Sequence, residues 1–394
     1  MGEVDEEVPM YSSMWTFAWD LRNEGVDRVL GFASDLGLKA VSIATSYHAG
    51  MFILPHSPKG KVYFPEDGVV YFHPESYLYK DTPIKPKVAE ISKSTDWVEE
   101  AGKRAERFGL KLVSWTVCLH NTRLGMAYPG HVMRNAFGDP YYHAICPGNE
   151  DVRAYLKALV KDLSSNYPFY AIELESPGFM GMEHGHHHER YGTILDDLEK
   201  TLMSLCFCES CMKGGAEAGV DTARVRSAVK EHLADVLKKS PYRPAKRPRD
   251  MAGMTARHPE LFRFIAFRRR VELTLLREIK REMVKSSRAR LFILSDPEDI
   301  EPARIGDAIE TIATYHKKPT EVYAITSRAR AALGRCLFHA GVRVGFGGVS
   351  GPGDLADIVR SVEEAGGDGV LFYNYSEAPM ECLRWIKPAL AGLG

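Results

Sequence analysis

The sequence predicts an α/β protein built as a single (β/α)8 barrel with long loops after strands two, three and four. Short apolar runs alternate with longer helical patterns along all 394 residues, which argues for a parallel sheet covered by helices. Eight such units match a TIM barrel, which spans about 250 residues and grows past 400 with insertions. The first run ends in Trp19-Asp20-Leu21-Arg22-Asn23, without the glycine-rich phosphate turn that opens a doubly wound sheet.

Taken in order, strand one is expected at Met14–Leu21, before a helix at Gly25–Leu36. Strand two, Leu38–Ala44, leads into the loop Tyr47–Ser94 and a helix at Asp96–Phe108. Strand three, Leu110–Val117, leads into Cys118–Glu150 and a helix at Asp151–Asn166. Strand four, Tyr170–Ser176, precedes the excursion Pro177–Pro259 and a helix at Leu261–Lys285. Strand five is placed at Arg290–Asp296 and strand six at Glu321–Thr326, with a helix at Ser327–Phe338. Strands seven and eight are Val342–Val349 and Asp368–Ser376, followed by helices at Gly353–Ala365 and Pro379–Leu390. Each strand is a short apolar run and each helix a longer periodic one. The three excursions are too long for simple connections, and in a barrel they gather at the C-terminal mouth, where catalytic loops lie. Residues 1–394 are expected to form one catalytic domain, with 177–259 an insertion carrying a cysteine cluster and a basic, proline-rich flap at Ser240–Arg257.

Hydrophobic residues make up 45% and charged residues 26%, the balance of a soluble globular protein. A formal net charge of −1 gives no support for a nucleic-acid or membrane-surface partner. No apolar run reaches the roughly 18–20 residues that span a bilayer. The acidic start MGEVDEEVPM does not read as a secretory signal. Seven cysteines, three of them crowded at Cys206, Cys208 and Cys211, suit metal better than disulfides in a reducing, cytoplasmic setting.

The sharpest chemical signal is Tyr170-Ala171-Ile172-Glu173-Leu174-Glu175-Ser176. Side chains alternate across a strand, so with Ile172 and Leu174 toward the helices, Glu173 and Glu175 point into the barrel. Two inward carboxylates cost several kcal/mol each to desolvate unless they are paired or used. The bland alternative is a buried ion pair with an interior Arg such as Arg343. A carboxyl pair is what glycoside hydrolysis needs: one donates a proton to the leaving oxygen, the other attacks or activates water. Glu175, at the strand's end, is the expected general acid, with Glu173 adjusting its pKa as a neighbouring like charge. Asp20, Asp296 and Glu377 stand at other strand ends as candidate partners, and Asp296 is the expected second carboxylate.

Histidines crowd at Glu183-His184-Gly185-His186-His187-His188-Glu189. These could bind a metal or hydrogen-bond substrate hydroxyls, and the second is preferred. His48 and His120 follow strands two and three and reach the same mouth. Expected substrate contacts are therefore His48, His120, Asp20, His184 and His186, with Asn374 and Tyr375 from the last strand. Aromatic residues are dense after strand two, at Tyr47, Phe52, Tyr63, Phe64, Tyr71, Phe72, Tyr77 and Tyr79, and suit stacking on sugar faces. Cys206-x-Cys208-x-x-Cys211 has thiolate spacing that holds tetrahedral zinc with one more ligand. Cys118 and Cys146 are both in reach of that role, Cys146 is the expected fourth ligand, and buried thiols without metal are the alternative. Such a site would pin the insertion and do no chemistry.

The run Asn135-Ala136-Phe137-Gly138-Asp139-Pro140, then Ile145-Cys146-Pro147-Gly148-Asn149 and the helix from Asp151, resembles the uncharacterised (β/α)8 glycoside-hydrolase-like proteins. The cysteine cluster trailing a strand-four Glu is similar to that of zinc-bearing bacterial beta-galactosidases, a resemblance that implies an acid/base role for Glu175 and a structural zinc at the cysteines. Two departures matter. The expected seventh strand, Val342–Val349, carries no carboxylate, and Leu174 rather than Asn precedes Glu175. Together these readings predict a carbohydrate-active enzyme, a glycoside hydrolase of inverting or non-standard mechanism. The alternatives are a metal-dependent sugar isomerase, epimerase or lyase using Glu175, His184, His186 and His188, and a non-catalytic carbohydrate-binding barrel.

Overall fold

In the computed structural model, eight parallel strands form one curled sheet with the helices outside it. The structure describes residues 10–183, 189–239, 247–285, 287–294, 311–316, 321–345 and 349–393. The strands are β1 (Tyr11–Phe17), β2 (Ala40–Tyr47), β3 (Lys111–Val117), β4 (Phe169–Glu175), β5 (Arg290–Leu294), β6 (Thr311–His316), β7 (Leu337–Arg343) and β8 (Gly369–Tyr373). Each pairs in parallel with the next. The first strand is flanked on both sides, by β2 through Trp15 and Ser42 and by β8 through Ser13 and Leu371. The architecture is TIM-like.

Alternation sorts the side chains into two layers. On β4, Ile172 and Leu174 join the apolar layer under the helices, with Val152, Leu156 and Leu159 of the helix Glu150–Asn166. Ala171 packs inside with Ala40, Val113 and Phe292 at the N-terminal end of the sheet. Toward the mouth the inner layer turns aromatic, with Trp15, Phe17, Trp19, Tyr47 and Trp115. Thus the inward placement of Glu173 holds.

Three expected elements move. Strand one stops at Phe17, and Trp19, Asp20 and Leu21 lie in the helix Ala18–Glu24. Asp20 starts that helix by accepting from the Phe17 backbone N–H at 2.9 Å, which satisfies one of the orphan donors of a helix N-terminus. Glu321–Thr326 is not strand six; it opens the helix Val322–Leu333, and the strand is Thr311–His316. Val-Tyr-Ala-Ile-Thr has strand-like composition, but the buried positions Val322, Thr326, Ala329 and Leu333 recur at helical spacing. The seventh strand runs from Leu337 to Arg343 rather than over Val342–Val349, because the helix ends at Gly334, whose φ of 56° suits glycine.

The three long excursions lie beyond the C-terminal ends of β2, β3 and β4. The first holds a hairpin, Phe52–Ile53 with Val62–Tyr63. The second holds the ribbon Val132–Arg134 with Pro140–Ile145. The third carries four helices, Asp197–Met203, Glu209–Glu217, Thr222–Lys239 and Met251–Arg257, whose Leu202, Val225, Val229 and Leu233 pack on Leu261, Phe264 and Phe267. These three belong to the first half of the helix Pro259–Met283, whose second half packs on the sheet through Leu275, Leu276 and Ile279. One helix therefore ties insertion to sheet. Of the expected flap, 240–246 lie outside the described residues. Among the described residues, no helix is long and apolar enough to cross a membrane.

At the N-terminal end of the sheet, Tyr11 stacks on His339 at 4.5 Å between ring centres, beside Gly369, which pairs with both residues. A Cβ on Gly369 would lie 2.7 Å from the His339 ring and 2.8 Å from the Tyr11 carbonyl oxygen. Gly369→Ala is therefore expected to destabilise the fold by about 1–3 kcal/mol, as overpacking does, whereas Gly130→Ala, with nothing within 4 Å of its new atom, should leave the melting temperature nearly unchanged. Equal melts for the two variants would show that the stack yields freely.

Candidate active site

Two tryptophans reach the two inward carboxyls of β4. Trp15 of β1 donates its indole N–H to Glu173 Oε1 at 2.5 Å, and Trp115 of β3 donates to Glu175 Oε2 at 2.6 Å. Glu173 is fully buried and its Oε2 has no hydrogen-bond partner among the described residues. Burial pushes its pKa up to about 8, with the Trp15 bond opposing and the Glu175 charge adding to the rise. At neutral pH the inner carboxyl is thus protonated. The coupling runs opposite to the sequence expectation, in which Glu173 supplies a negative charge: burial neutralises the inner group, and Glu175, half-buried at the rim, is the one open to solvent. Ser176 follows it at a φ of 51°, the one non-glycine residue at positive φ among those described, a conformation that non-glycine residues seldom adopt.

The rest of the mouth comes from β2, β3 and β8. The Tyr47 hydroxyl bonds to that of Tyr373, and Tyr373 donates to Glu377 Oε1 at 3.4 Å. Trp115 sits against Tyr47 at 5.2 Å and Tyr373 at 6.4 Å between ring centres. His48 stacks on Tyr47 at 4.3 Å and lies 4.3 Å from His120, so these two expected residues do meet. Burial pulls the His48 pKa down, which favours a neutral imidazole able to donate and accept.

Other expected residues turn away. Tyr375 is fully buried on the helix side, donating to Glu24 Oε2 at 3.0 Å beside His56; Tyr373, two residues earlier, is the tyrosine at the mouth. Asp20 is 3% exposed and accepts from Thr16 Oγ1 at 2.9 Å and from Ser376 Oγ. Burial raises its pKa to about 6. It ties the end of β1 to the loop after β8 and does not line the mouth. Asn374 is buried and donates its amide to Glu377 Oε1 at 2.7 Å. Asp296, His184, His186 and His188 lie outside the described residues. Sequence reasoning passes over Trp15 and Trp115, and places Tyr373 at the rim without singling it out from Tyr375. Their strands are buried on both faces, so no polar alternation marks the inward side; counting by twos from a known inward neighbour would have found them.

A second cluster joins the insertion to the excursion before it. Cys146 Sγ is 3.4 Å from Cys211, 3.5 Å from Cys208 and 3.8 Å from Cys206. All four sulfurs are buried within 4.8 Å of one another and none is in a disulfide. Four sulfurs about 2.3 Å from a tetrahedral zinc would stand about 3.8 Å apart, so the set has the right size, and these four cysteines could bind a metal ion. A Cβ on Gly148 would come 3.2 Å from Cys211 Sγ, so a bare glycine lets the chain pass close to the sulfurs. Hydrogen bonds from the other thiols pull the Cys208 pKa down, while Cys146 is pushed up. Cys118, the other candidate, is buried beneath the helices with its thiol on the Thr116 carbonyl at 3.4 Å. Among the described residues no other group of His, Cys, Asp and Glu has donor atoms this close.

No known family profile and no curated protein matches the chain in sequence. Solved structures do match in fold. The alpha-L-fucosidase isoenzyme 2 of Paenibacillus thiaminolyticus superposes with a TM-score of 0.61 at 12% identity, over 98% of this chain and 49% of that one. A beta-galactosidase from the Antarctic haloarchaeon Halorubrum lacusprofundi gives 0.60 at 12% identity, over 97% and 57%. The beta-galactosidase of Bacillus circulans sp. alkalophilus gives 0.60 at 11% identity, over 99% and 57%. The chain spans about half to three fifths of the length of these proteins, and the likeness is one of fold.

The protonated Glu173 makes stability depend on pH. Its folded pKa of about 8 lies above the ordinary value of 4.5, so its contribution is fully present below about pH 4.5 and is lost as pH rises to 8. Glu173→Gln keeps an acceptor for Trp15 and has no charge to bury. Its melting temperature relative to wild type should rise steadily between pH 4.5 and 8. A difference independent of pH would mean that Glu173 ionises in the fold as it does in water.

Proposed function

We propose that the chain is a carbohydrate-active enzyme, a glycoside hydrolase, with Glu175 as its general acid. The observation that carries this is the pair of carboxyls on β4, the outer one at the C-terminal strand end and held by Trp115, set in a mouth of aromatic rings and imidazoles. Active sites of such folds sit at that end, aromatic rings suit sugar faces, and the fold neighbours are a fucosidase and beta-galactosidases.

In this reading Glu173 keeps its proton up to about pH 8, so the proton that cycles is that of Glu175. Glu175 gives it to the glycosidic oxygen as the bond to the anomeric carbon breaks. Trp115 fixes the carboxyl's direction, since its N–H holds Oε2. His48 and His120, paired at the mouth, are the proposed histidine contacts to the sugar. Strand β7, Leu337–Arg343, carries no carboxylate, which favours an inverting or non-standard course over retention through a nucleophile from that strand.

Zinc is the metal proposed for Cys146, Cys206, Cys208 and Cys211. Bound there, it would join the ribbon after β3 to the start of the helix Glu209–Glu217 as a closed structural site and would supply no chemistry. Protein purified without chelators should contain about one zinc per chain, and Cys211→Ser should lose it together with thermal stability. Absence of zinc, with all seven thiols titrating, would leave buried free cysteines.

Glu175→Gln keeps shape and removes the proton donor. It should lower kcat by about 10²–10⁴-fold on a glycoside with a poor leaving group, and much less on one with an activated leaving group. Equal losses on both, with a lowered melting temperature, would make Glu175 a structural residue.

A further inference from the structure

Resting on the hydrolase reading, we infer that Glu377 supplies the second carboxylate of the site, with Tyr373 and Asn374 positioning it and Tyr47 positioning Tyr373. Glu377 lies four residues beyond the end of β8 and is half-buried. Its Oε1 takes two donors, the Asn374 amide at 2.7 Å and the Tyr373 hydroxyl at 3.4 Å, so Oε2 is the oxygen left for a water. The Glu377 backbone N–H bonds to Asn374 Oδ1 at 2.8 Å, and that bond alone would close the turn. The side-chain bonds go further: they hold the carboxylate beside Tyr373, whose ring meets the Trp115 that serves Glu175. The path across the mouth is continuous, from Glu175 to Trp115 at 2.6 Å, from Trp115 to Tyr373 at 6.4 Å between rings, and from Tyr373 to Glu377. Both carboxylates act on the Tyr47 and Tyr373 hydroxyls electrostatically, which puts them around one space.

The chemistry balances with water as the only co-reactant. Glu175 passes its proton to the leaving oxygen as the glycosidic C–O bond breaks. Glu377 removes a proton from water as the new C–O bond forms on the opposite face, giving inversion. Solvent then returns the proton from Glu377 to Glu175.

The test uses the full chain and paired 2,4-dinitrophenyl and 4-nitrophenyl glycosides of galactose, fucose and glucose in both anomers. Glu377→Gln preserves the acceptor for Asn374 and Tyr373. It should lower kcat by about 10²–10⁴-fold on both leaving groups alike, unlike Glu175→Gln, and added azide should restore turnover as the glycosyl azide of inverted configuration. Tyr373→Phe keeps the ring and removes one donor from the carboxylate; the acidic limb of kcat/KM should move to higher pH with KM little changed. A purely structural turn predicts neither effect. Should Glu377→Gln stay within about threefold of wild type while Glu175→Gln shows its leaving-group dependence, Glu377 is not the base and the hydrolase reading stands. Wild-type protein inactive on every glycoside would overturn both. If Glu377→Gln does not fold, an unmoved pH profile in Tyr373→Phe overturns the inference by itself.

Discussion

Glu173 is a carboxyl with no exposure in the middle of a parallel sheet, and much of the mouth follows from accommodating it. A charge there would cost several kcal/mol to desolvate, so the group is kept neutral and given one indole N–H from Trp15. That contact requires β1 to present Trp15 inward level with Trp115 of β3, the two rings 6.1 Å apart. Trp115 in turn serves Glu175. Two carboxyls on one strand are thereby made unlike, the inner one protonated and apolar in effect, the outer one half-exposed at the rim. Separating the environments of two like groups is how a fold assigns them different protonation roles.

Around this pair, the strand ends are tied by buried polar bonds rather than by apolar packing alone. Asp20 bridges the end of β1 to Ser376 past β8, and Trp19 also donates to Ser376 at 2.9 Å. On the helix side, His56 bonds to Glu24 at 2.9 Å and to the Tyr375 carbonyl at 2.7 Å, which anchors the long loop after β2 to the loop after β8. Both ties fall inside the segment that holds Tyr373, Asn374 and Glu377, at Tyr375 and Ser376. Buried, satisfied networks of this kind specify one arrangement of loops, and the positions of the mouth side chains depend on that.

The insertion after β4 is anchored in two ways that do not involve the mouth. Its helices share an apolar core with Leu261, Phe264 and Phe267, and its cysteines converge on Cys146 from the preceding excursion. The two excursions are thus joined side chain to side chain.

Composition and local pattern by themselves determined the α/β alternation, the inward parity of Glu173 and Glu175, and the crowding of Cys206, Cys208 and Cys211. Each rests on short-range periodicity, which the chain carries wherever it is placed. Where two local patterns were equally good, as in Glu321–Thr326, composition pointed to a strand and burial made a helix. Only the tertiary structure decided that Cys146 rather than Cys118 meets the cluster, that Tyr373 rather than Tyr375 faces the mouth, and that Glu377 and Glu175 act on the same two tyrosine hydroxyls. The physical reason is common to all three: these are contacts between residues distant in sequence, set by which strands become neighbours and by how a turn rotates the chain after its last strand residue. No short window contains both partners.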